Sequence, residues 1–272
     1  MSVMLITEYR MGLGERRICV EATAAAVSCC EVMQTSQMHS VESAHSLSLM
    51  LGIDTCGPSG TVALGRLAAG VVEVLGQIEL EGRSYSATLV AAVGELLGRG
   101  GLRVKDLAAM VVVNGPGSFT GVRVGLSAVK GLAEAAQISV AVVSRLEVLS
   151  WKAAVLSSAL DAHRGEVFLR VGGPSLEARE LLAGAADLAA IKEVPERIAV
   201  CDNAAGLLLG TAWPGAELVR SPAPTAADAL QLCAGRVANS EFVDVALLDG
   251  HYLRRSDAEI FGEAAAAGLQ GA

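Results

Sequence analysis

Residues 114–135, NGPGSFTGVRVGLSAVKGLAEA, form a glycine-rich turn that leads into a long helix-forming segment. Gly121, Gly125 and Gly131 fall inside this segment, and each glycine in a helix interior costs about 1 kcal/mol relative to alanine. Gly121, Gly125 and Ala128 recur at intervals of four and three residues, so they share one face of the helix. Such a small-residue face allows another element to approach closely, and the dispersion attraction at short range offsets the cost of the glycines.

Two packing partners fit this small-residue face, and the sequence leaves both open. One is the helix predicted over residues 85–99 of the same chain, and the other is a second subunit. If the face belongs to a subunit interface, we expect that replacing Gly125 with leucine breaks subunit binding and leaves the fold intact.

The segments around the glycine turn predict a sheet that begins with three antiparallel strands. The three β-rich runs are MLGIDT (50–55), TVALGRL (61–67) and VVEVLGQIEL (71–80). They are joined by short turns, which only antiparallel neighbours allow. Helical spacing follows over 85–99, and the apolar runs LAAMVVVNG and SVAVVS flank the glycine-bearing helix. This βββαβαβ order predicts an α/β lobe over residues 50–143.

The rest of the chain alternates strands and helices in the same way, so residues 144–272 predict a second α/β lobe that is a diverged copy of the first. Two strands surround a turn at 162–165, and RIAVCDN is another strand. TAADALQLCAGRVA is a helix with Thr225 as its N-cap. Residues 1–49 show no clean period and are interpreted as an N-terminal extension, either disordered or translated from a start codon assigned too early.

Composition and charge limit the kinds of partner. The 272 residues carry a net charge of −8 and 3% aromatic side chains, without the basic stripe or aromatic platforms of nucleic-acid-binding surfaces. Any RNA contact is therefore expected to run through a partner protein. No apolar span reaches the ~20 residues that a membrane helix needs, and the six cysteines form no C-x-x-C pattern. We expect a cytoplasmic protein with reduced thiols and no membrane partner.

The turn GPGSFTG (115–121) is a candidate phosphate site formed by Gly115, Gly117 and Ser118, because free backbone N–H groups at a helix start favour an anion. It does not match the tighter motifs. No lysine occupies the P-loop position, and the glycine spacing is G-x-G-x-x-x-G rather than that of a dinucleotide fingerprint. The alternative is that the glycines serve only the geometry of the turn.

Asp54 and Thr55 end the first predicted strand at a tight turn. A carboxylate there can hold a metal-bound water and a hydroxyl can contact phosphate, although both side chains can equally satisfy their own turn. The polar stretch DAHRGEVF, Asp161 to Phe168, is either a small polar site or a solvated turn. Neither H-E-x-x-H nor G-x-S-x-G occurs, so no catalytic residue and no metal site is predicted.

The glycine signature GPGSFTGVRVGLSAVKGLA closely resembles that of the TsaB (YeaZ) family. Further matches follow in the family's order: LGIDTCGPSGTVAL, GRSYSATLV, VSRLEVLS, DAHRGEVFLR and HYLRRSDAEI. The resemblance implies a two-lobed actin-, hexokinase- and sugar-kinase-like (ribonuclease H-like) fold with mixed sheets and flanking helices. It also implies a non-catalytic subunit of the tRNA threonylcarbamoyladenosine modification complex. Such a subunit binds and activates the catalytic subunit TsaD, is joined by the ATPase TsaE, and also self-associates as a homodimer.

The resemblance implies an interface on the first lobe and assigns residues to it. Those residues are Tyr85, Leu89, Gly121, Arg123, Gly125 and Ala128. Tyr85 stands where many relatives have histidine, so no metal ligand is expected there. CDNAAG (201–206) stands where kinases have a glycine-rich adenosine loop. Independent ATP binding is therefore not expected, and any ATP or ADP is expected at the interface with the partner.

Two other functions remain as alternatives. One is a small-molecule kinase or ATPase of the actin-like superfamily that uses Asp54, Thr55 and the 115–118 turn. The other is a glycoprotease-like peptidase, against which the missing histidine ligands count.

Overall fold

The computed structural model describes residues 48–254 except 83, 174 and 175, and these residues form two five-stranded mixed sheets flanked by helices. The first lobe contains β1 (Ser48–Asp54), β2 (Ser59–Ala68), β3 (Val71–Glu81), α1 (Tyr85–Arg99), β4 (Ala109–Val113), α2 (Phe119–Ala136) and β5 (Ser139–Val143). The elements that follow are α3 (Arg145–Lys152), β6 (Ser157–Asp161), β7 (Glu166–Gly173), β8 (Leu176–Gly184), α4 (Ala185–Ala190), β9 (Arg197–Val200), α5 (Asn203–Ala212), β10 (Glu217–Arg220), α6 (Ala226–Leu232) and α7 (Ala234–Ala238). Single 3₁₀ turns lie at Val104–Asp106 and Val245–Leu247.

The two sheets repeat one topology, which confirms the predicted fold class. The first sheet has the order β3-β2-β1-β4-β5, and the second has the equivalent order β8-β7-β6-β9-β10. In each sheet the first three strands are antiparallel and the last two run parallel to the first strand. All five residues of the central strand β4 are buried, as expected of a strand covered on both faces. The carboxyl ends of the parallel strands β1 and β4 therefore lie side by side in the first sheet. Those of β6 and β9 lie side by side at the equivalent place in the second sheet.

The segment after the second sheet returns to the first lobe. The helix predicted from Thr225 onward begins there, with the Thr225 side chain accepting a hydrogen bond from the backbone N of Asp228, but it is divided at Cys233 into α6 and α7. Leu230 of α6 is fully buried in the core of the first sheet. The backbone N of Ala226 donates to Oγ1 of Thr61 on β2 at 2.7 Å. The division into lobes at residue 144 stays a prediction, and the packing refines it by placing α6 and α7 on the first sheet.

The predicted N-terminal extension, residues 1–49, lies outside the described residues except for Ser48 and Leu49, which open β1. Within the part of the chain that the structure describes, no helix is both long and apolar enough to span a membrane.

Candidate functional site

A cleft of about 870 Å³ lies between the two lobes and is lined by turns of both. The first lobe contributes the turn after β1, the start of α1 and the glycine turn before α2. The second lobe contributes the β6–β7 hairpin and the end of β9. His251, Tyr252, Leu253 and Arg254 complete the wall. The cleft therefore gathers the carboxyl ends of the strands, where open α/β sheets bind ligands.

Asp54 at the end of β1 is engaged by the protein itself rather than facing the cleft. It is 1% exposed, and its Oδ1 accepts a hydrogen bond from the backbone N of Cys56 at 2.8 Å. Its Oδ2 lies 3.3 Å from Nε of Arg145, whose side chain is 7% exposed. Burial lowers the pKa of Arg145, the Asp54 carboxylate raises it, and the resulting pKa lies above the ordinary value. This buried ion pair does not support the predicted role of Asp54 in holding a metal-bound water.

Thr55 occupies the small-residue face of α2. Its Oγ1 donates a hydrogen bond to the carbonyl oxygen of Gly121 at 2.7 Å. A Cβ at Gly121 would overlap the carbonyl oxygen of Thr55, and a Cβ at Gly125 would overlap Thr55 Oγ1. At Gly121 and Gly125 the close neighbour is therefore the turn after β1 of the same chain, which neither expectation named, whereas Ala128 of the same face lies beside Leu89 of the helix 85–99. This overlap argues against the expectation that leucine at position 125 leaves the fold intact, and the exposed Gly131 has no explanation in the structure.

The glycine turn is held in place by the same region of the chain. The backbone N of Ser118 donates to the carbonyl oxygen of Cys56 at 2.8 Å, and Ser118 Oγ caps α2 by accepting from the backbone N of Gly121 at 3.2 Å. Gly117 and Ser118 line the cleft, whereas Gly115 and the side chains of Asp54 and Thr55 are turned toward the protein. The phosphate site stays a prediction only for the two lining residues, and within residues 48–254 no three His, Cys, Asp or Glu side chains are grouped to hold a metal ion.

Tyr85, the first residue of α1, also lines the cleft. Its hydroxyl donates to the carbonyl oxygen of Gly57 at 2.8 Å. Burial and the nearby Asp54 carboxylate raise the pKa of Tyr85 to about 12, so the phenol stays protonated and remains a donor. Tyr85 therefore fixes the turn after β1.

The polar stretch after β6 forms a hairpin turn whose charges pair locally. His163 Nδ1 lies 2.9 Å from Oδ2 of Asp161, and the His163 side chain is 84% exposed. Glu166 pairs with Arg254, which also donates to the carbonyl oxygen of Ala162 at 2.7 Å. These contacts match the solvated-turn alternative and also tie the hairpin to the segment that follows the last helix.

That segment, residues 249–254, is named the strap because it crosses from one lobe to the other. On the first lobe, the backbone N of His251 donates to the carbonyl oxygen of Asn114 at 2.7 Å. On the second, its Nε2 lies 2.9 Å from Oε2 of Glu180. Ser144 donates to the same Glu180 oxygen at 2.6 Å, and Arg170 donates to the other at 2.9 Å. Burial raises the pKa of Glu180, but the hydrogen bonds from His251, Ser144 and Arg170 outweigh it and hold the pKa below its ordinary value.

A second concave surface, here called the groove, lies between α1 and α2 on the first lobe. Its lining residues are Tyr85, Ser86, Leu89, Val90, Phe119, Thr120, Arg123, Val124, Ser127 and Ala128. The floor is buried Leu89, whereas Val90 on the rim is 61% exposed. Of the residues predicted to form an interface, Tyr85, Leu89, Arg123 and Ala128 line the groove, and Gly121 and Gly125 do not.

Sequence reasoning missed Arg145, Glu180 and Val90. Arg145 meets Asp54 across 91 residues of chain, and Glu180 meets Ser144 and His251 across 36 and 71, so no local pattern marks these contacts. Val90 carried a usable signal, because an apolar residue directly after the buried Leu89 lies about 100° away from it around the helix and so toward the rim of the buried face.

Comparisons with known proteins find relatives whose names refer to the threonylcarbamoyl modification of tRNA adenosine. The family model described as TsaD, tRNA N6-adenosine threonylcarbamoyltransferase, matches residues 75–192. The tRNA threonylcarbamoyladenosine biosynthesis protein TsaB of Bacillus subtilis is 33% identical over 123 residues, which are 44% of this chain and 52% of that protein. TsaB of Escherichia coli is 34% identical over 125 residues, with the same two coverages. The chain spans about half the length of these curated relatives.

Longer matches come from two other proteins. An uncharacterized Mycobacterium tuberculosis protein is 30% identical over 186 residues, 61% of this chain and 86% of that one. A crystal structure of an uncharacterized Pseudomonas aeruginosa protein with similarity to the peptidase YeaZ has a TM-score of 0.61 and 27% identity, covering 76% of this chain and all of that one.

Proposed function

Because the chain belongs to the TsaB (YeaZ) family, we propose that it acts in tRNA threonylcarbamoyladenosine biosynthesis, the process that the names of its TsaB relatives state. In this proposal it is a cytoplasmic, non-catalytic subunit that binds a TsaD-like catalytic subunit and activates it. A TsaE-like ATPase joins the assembly, and tRNA is contacted only through the partners. The net charge of −8 supports this last point, since phosphate backbones attract basic surfaces.

The engagement of Asp54 supports a non-catalytic role. A carboxylate that accepts from Cys56 and pairs with Arg145 in a buried site is held by the fold and does not line the cleft. A kinase or ATPase that used this carboxylate would first have to separate it from Arg145, which costs several kcal/mol for a buried pair. No observation within residues 48–254 favours the kinase or the peptidase alternative.

The groove is the observation that carries the proposed partnership. It combines the buried floor at Leu89 with half-buried Phe119, Val124 and Ala128 and with the exposed Val90 on the rim, so a docked helix would remove this apolar surface from water. Both helices that form it fall inside the match to the TsaD family model over residues 75–192. A TsaD-like subunit that shares these helices can pack helix against helix on the groove.

The experiment measures binding of the full-length chain to a TsaD-like subunit by titration calorimetry, with Val90→Asp as the test variant. A carboxylate buried in the apolar contact should weaken binding by about 100-fold or more. Val194→Asp is the matched control, because Val194 is a 42% exposed valine outside the groove. It should bind as the unchanged chain does, and both variants should keep the unfolding temperature.

Two results would contradict the proposal. If the unchanged chain does not bind the TsaD-like subunit, the partnership is wrong. If the isolated chain binds ATP with magnesium at micromolar concentration and turns it over, the non-catalytic role is wrong and the kinase or ATPase alternative takes its place.

A further inference from the structure

We propose that Arg123 is the charged anchor of the groove, held in place by Phe119 and Tyr252, and that it pairs with a carboxylate of the docked subunit. This inference rests on the proposed function, because it assigns the chemistry of the partner at the same groove. It adds one residue-level requirement: the partner must present an acidic side chain, within an otherwise uncharged contact, near the N-terminal end of α2 where Phe119 lies.

Two aromatic rings fix the position of the Arg123 guanidinium. Its Cζ lies 3.7 Å from the centroid of the Phe119 ring and 5.8 Å from that of Tyr252. The two rings are 5.2 Å apart and tilted by 46°. Nε of Arg123 also donates to the Tyr252 hydroxyl at 3.4 Å. A cation over an aromatic face is attracted by the ring quadrupole, so the side chain is oriented before any partner arrives.

The orientation leaves the binding end of Arg123 available. Its hydrogen bond to Tyr252 uses Nε, and no acidic side chain among residues 48–254 forms an ion pair with it. The residue is exposed. A guanidinium presents its remaining donors in a planar fork that matches a carboxylate. Because the side chain is already ordered, less conformational entropy is lost when the pair forms.

The charge pattern distinguishes an acidic partner from a second copy of this chain. Among the described residues that line the groove, Arg123 is the single charged one. A symmetric dimer in which two grooves face each other offers Arg123 no carboxylate from the groove of the second copy, since an isologous interface uses the same patch twice and the lining residues include no Asp or Glu. Complementary charges across an interface favour the correct partner. The groove therefore favours a different subunit that carries the carboxylate.

The strap supplies Tyr252, one of the two rings that contact Arg123, and Gly250 leaves the space that the Tyr252 ring occupies. A Cβ at Gly250 would lie 2.5 Å from the Tyr252 ring, so alanine at this position displaces the ring while keeping the tyrosine in the chain. Gly250→Ala therefore tests the aromatic support separately from the charge.

The charge is tested by titrating the TsaD-like subunit with full-length Arg123→Glu and Arg123→Lys. Charge reversal should weaken binding by about 100-fold, and lysine by about ten-fold, because lysine keeps the charge but loses the fork and the stacking. Lys130→Glu is the matched control: it makes the same charge change on the same helix, outside the groove, and should stay within about two-fold. Gly250→Ala should weaken binding by about five-fold. All variants should unfold at the temperature of the unchanged chain.

The outcomes separate this inference from the proposed function. If the unchanged chain binds and Val90→Asp does not, but Arg123→Glu binds normally, the docking proposal stands and the anchor is wrong. If Lys130→Glu weakens binding as much as Arg123→Glu does, the effect is general electrostatics and the anchor is again wrong. If Arg123→Glu abolishes self-association while TsaD-like binding stays intact, the groove holds a second copy and the carboxylate assignment fails. Restored binding of Arg123→Glu by an acidic-to-lysine change on the TsaD-like subunit would identify the paired carboxylate.

Discussion

In the first lobe the leading strand β1 ends at Asp54, and in the second lobe the equivalent strand β6 ends at Asp161. The two carboxylates occupy matching places in the repeated topology, but their surroundings differ. Asp54 is 1% exposed and pairs with Arg145, whose side chain is 7% exposed. The Asp161 side chain is 26% exposed and pairs with His163, whose side chain is 84% exposed. A shared topology therefore places the residue, while burial decides how strongly its partner matters.

The helices that follow the fourth strand of each lobe show the same contrast. On α2, Gly121 lies against the backbone carbonyl of Thr55. On α5, the equivalent close contact is between Gly206 and the guanidinium of Arg220, at 2.6 Å from the position a Cβ would take. Backbone cannot move aside, whereas the end of a long side chain can. Gly121 in the first lobe therefore packs against backbone that cannot shift, whereas Gly206 in the second packs against a side chain that can.

The largest expected effect comes from breaking the buried pair of the first lobe. Arg145→Ala leaves the Asp54 carboxylate buried without its cation, and we expect a loss of about 3–5 kcal/mol in the free energy of unfolding by urea. His163→Ala, the matching change in the second lobe, should cost less than about 1 kcal/mol. Equal losses in the two lobes would remove the contrast. A double variant, Asp54→Asn with Arg145→Met, should keep most of the stability that Arg145→Ala loses, because neither charge of the pair then remains.

Adding one methyl group at the two helix glycines sharpens the comparison of the turns. Gly121→Ala forces the helix away from Thr55, and we expect a loss of about 3 kcal/mol. Gly206→Ala displaces the exposed end of Arg220 from its hydrogen bonds to Asp202 and Asn203. It also gains up to about 1 kcal/mol of helix propensity, so its unfolding free energy should change by less than about 1 kcal/mol. Urea denaturation of both variants provides the measurement. A tolerated alanine at position 121 would show that Thr55 is not a close neighbour.

A smaller effect is expected at the junction of the lobes, where Glu180 accepts from His251, Ser144 and Arg170. A carboxyl group whose pKa is held below its ordinary value of 4.5 stabilises the fold above that pH, and the contribution is lost as the pH falls through the lowered pKa. Glu180→Gln should therefore cost about 2 kcal/mol at pH 7. The difference from the unchanged chain should begin to close only below pH 4.5. A difference that is constant from pH 7 to pH 3 would contradict the role of the charge.

Much of the fold follows from local patterns. Helical spacing predicted α1 at its observed bounds, Tyr85–Arg99, and the cap at Thr225 and the βββαβαβ order were also confirmed. The helix α5 was missed because its run NAAGLLLGTA is apolar on all sides and gives no stripe, and Leu207 in it is 73% exposed. A pattern predicts an element when one face differs from the other, and fails when it does not.

The candidate site depended on contacts that no local pattern contains. Arg145 meets Asp54 across 91 residues, and Tyr252 meets Arg123 across 129. The glycines of α2 illustrate the limit: their spacing predicted a close neighbour, but the neighbour at Gly121 and Gly125 is Thr55, which neither expectation named.

The sequence by itself determined the order of strands and helices, the doubled α/β architecture and the need for a close contact on α2, because periodicity, caps and glycine costs act over a few residues. Only the tertiary structure decided that Asp54 pairs with Arg145, that α6 and α7 return to the first sheet, and that Arg123 lies over the Phe119 ring and beside Tyr252. Those outcomes depend on which distant surfaces meet when the apolar faces are buried. Burial also sets how strongly the charges enclosed with those faces interact.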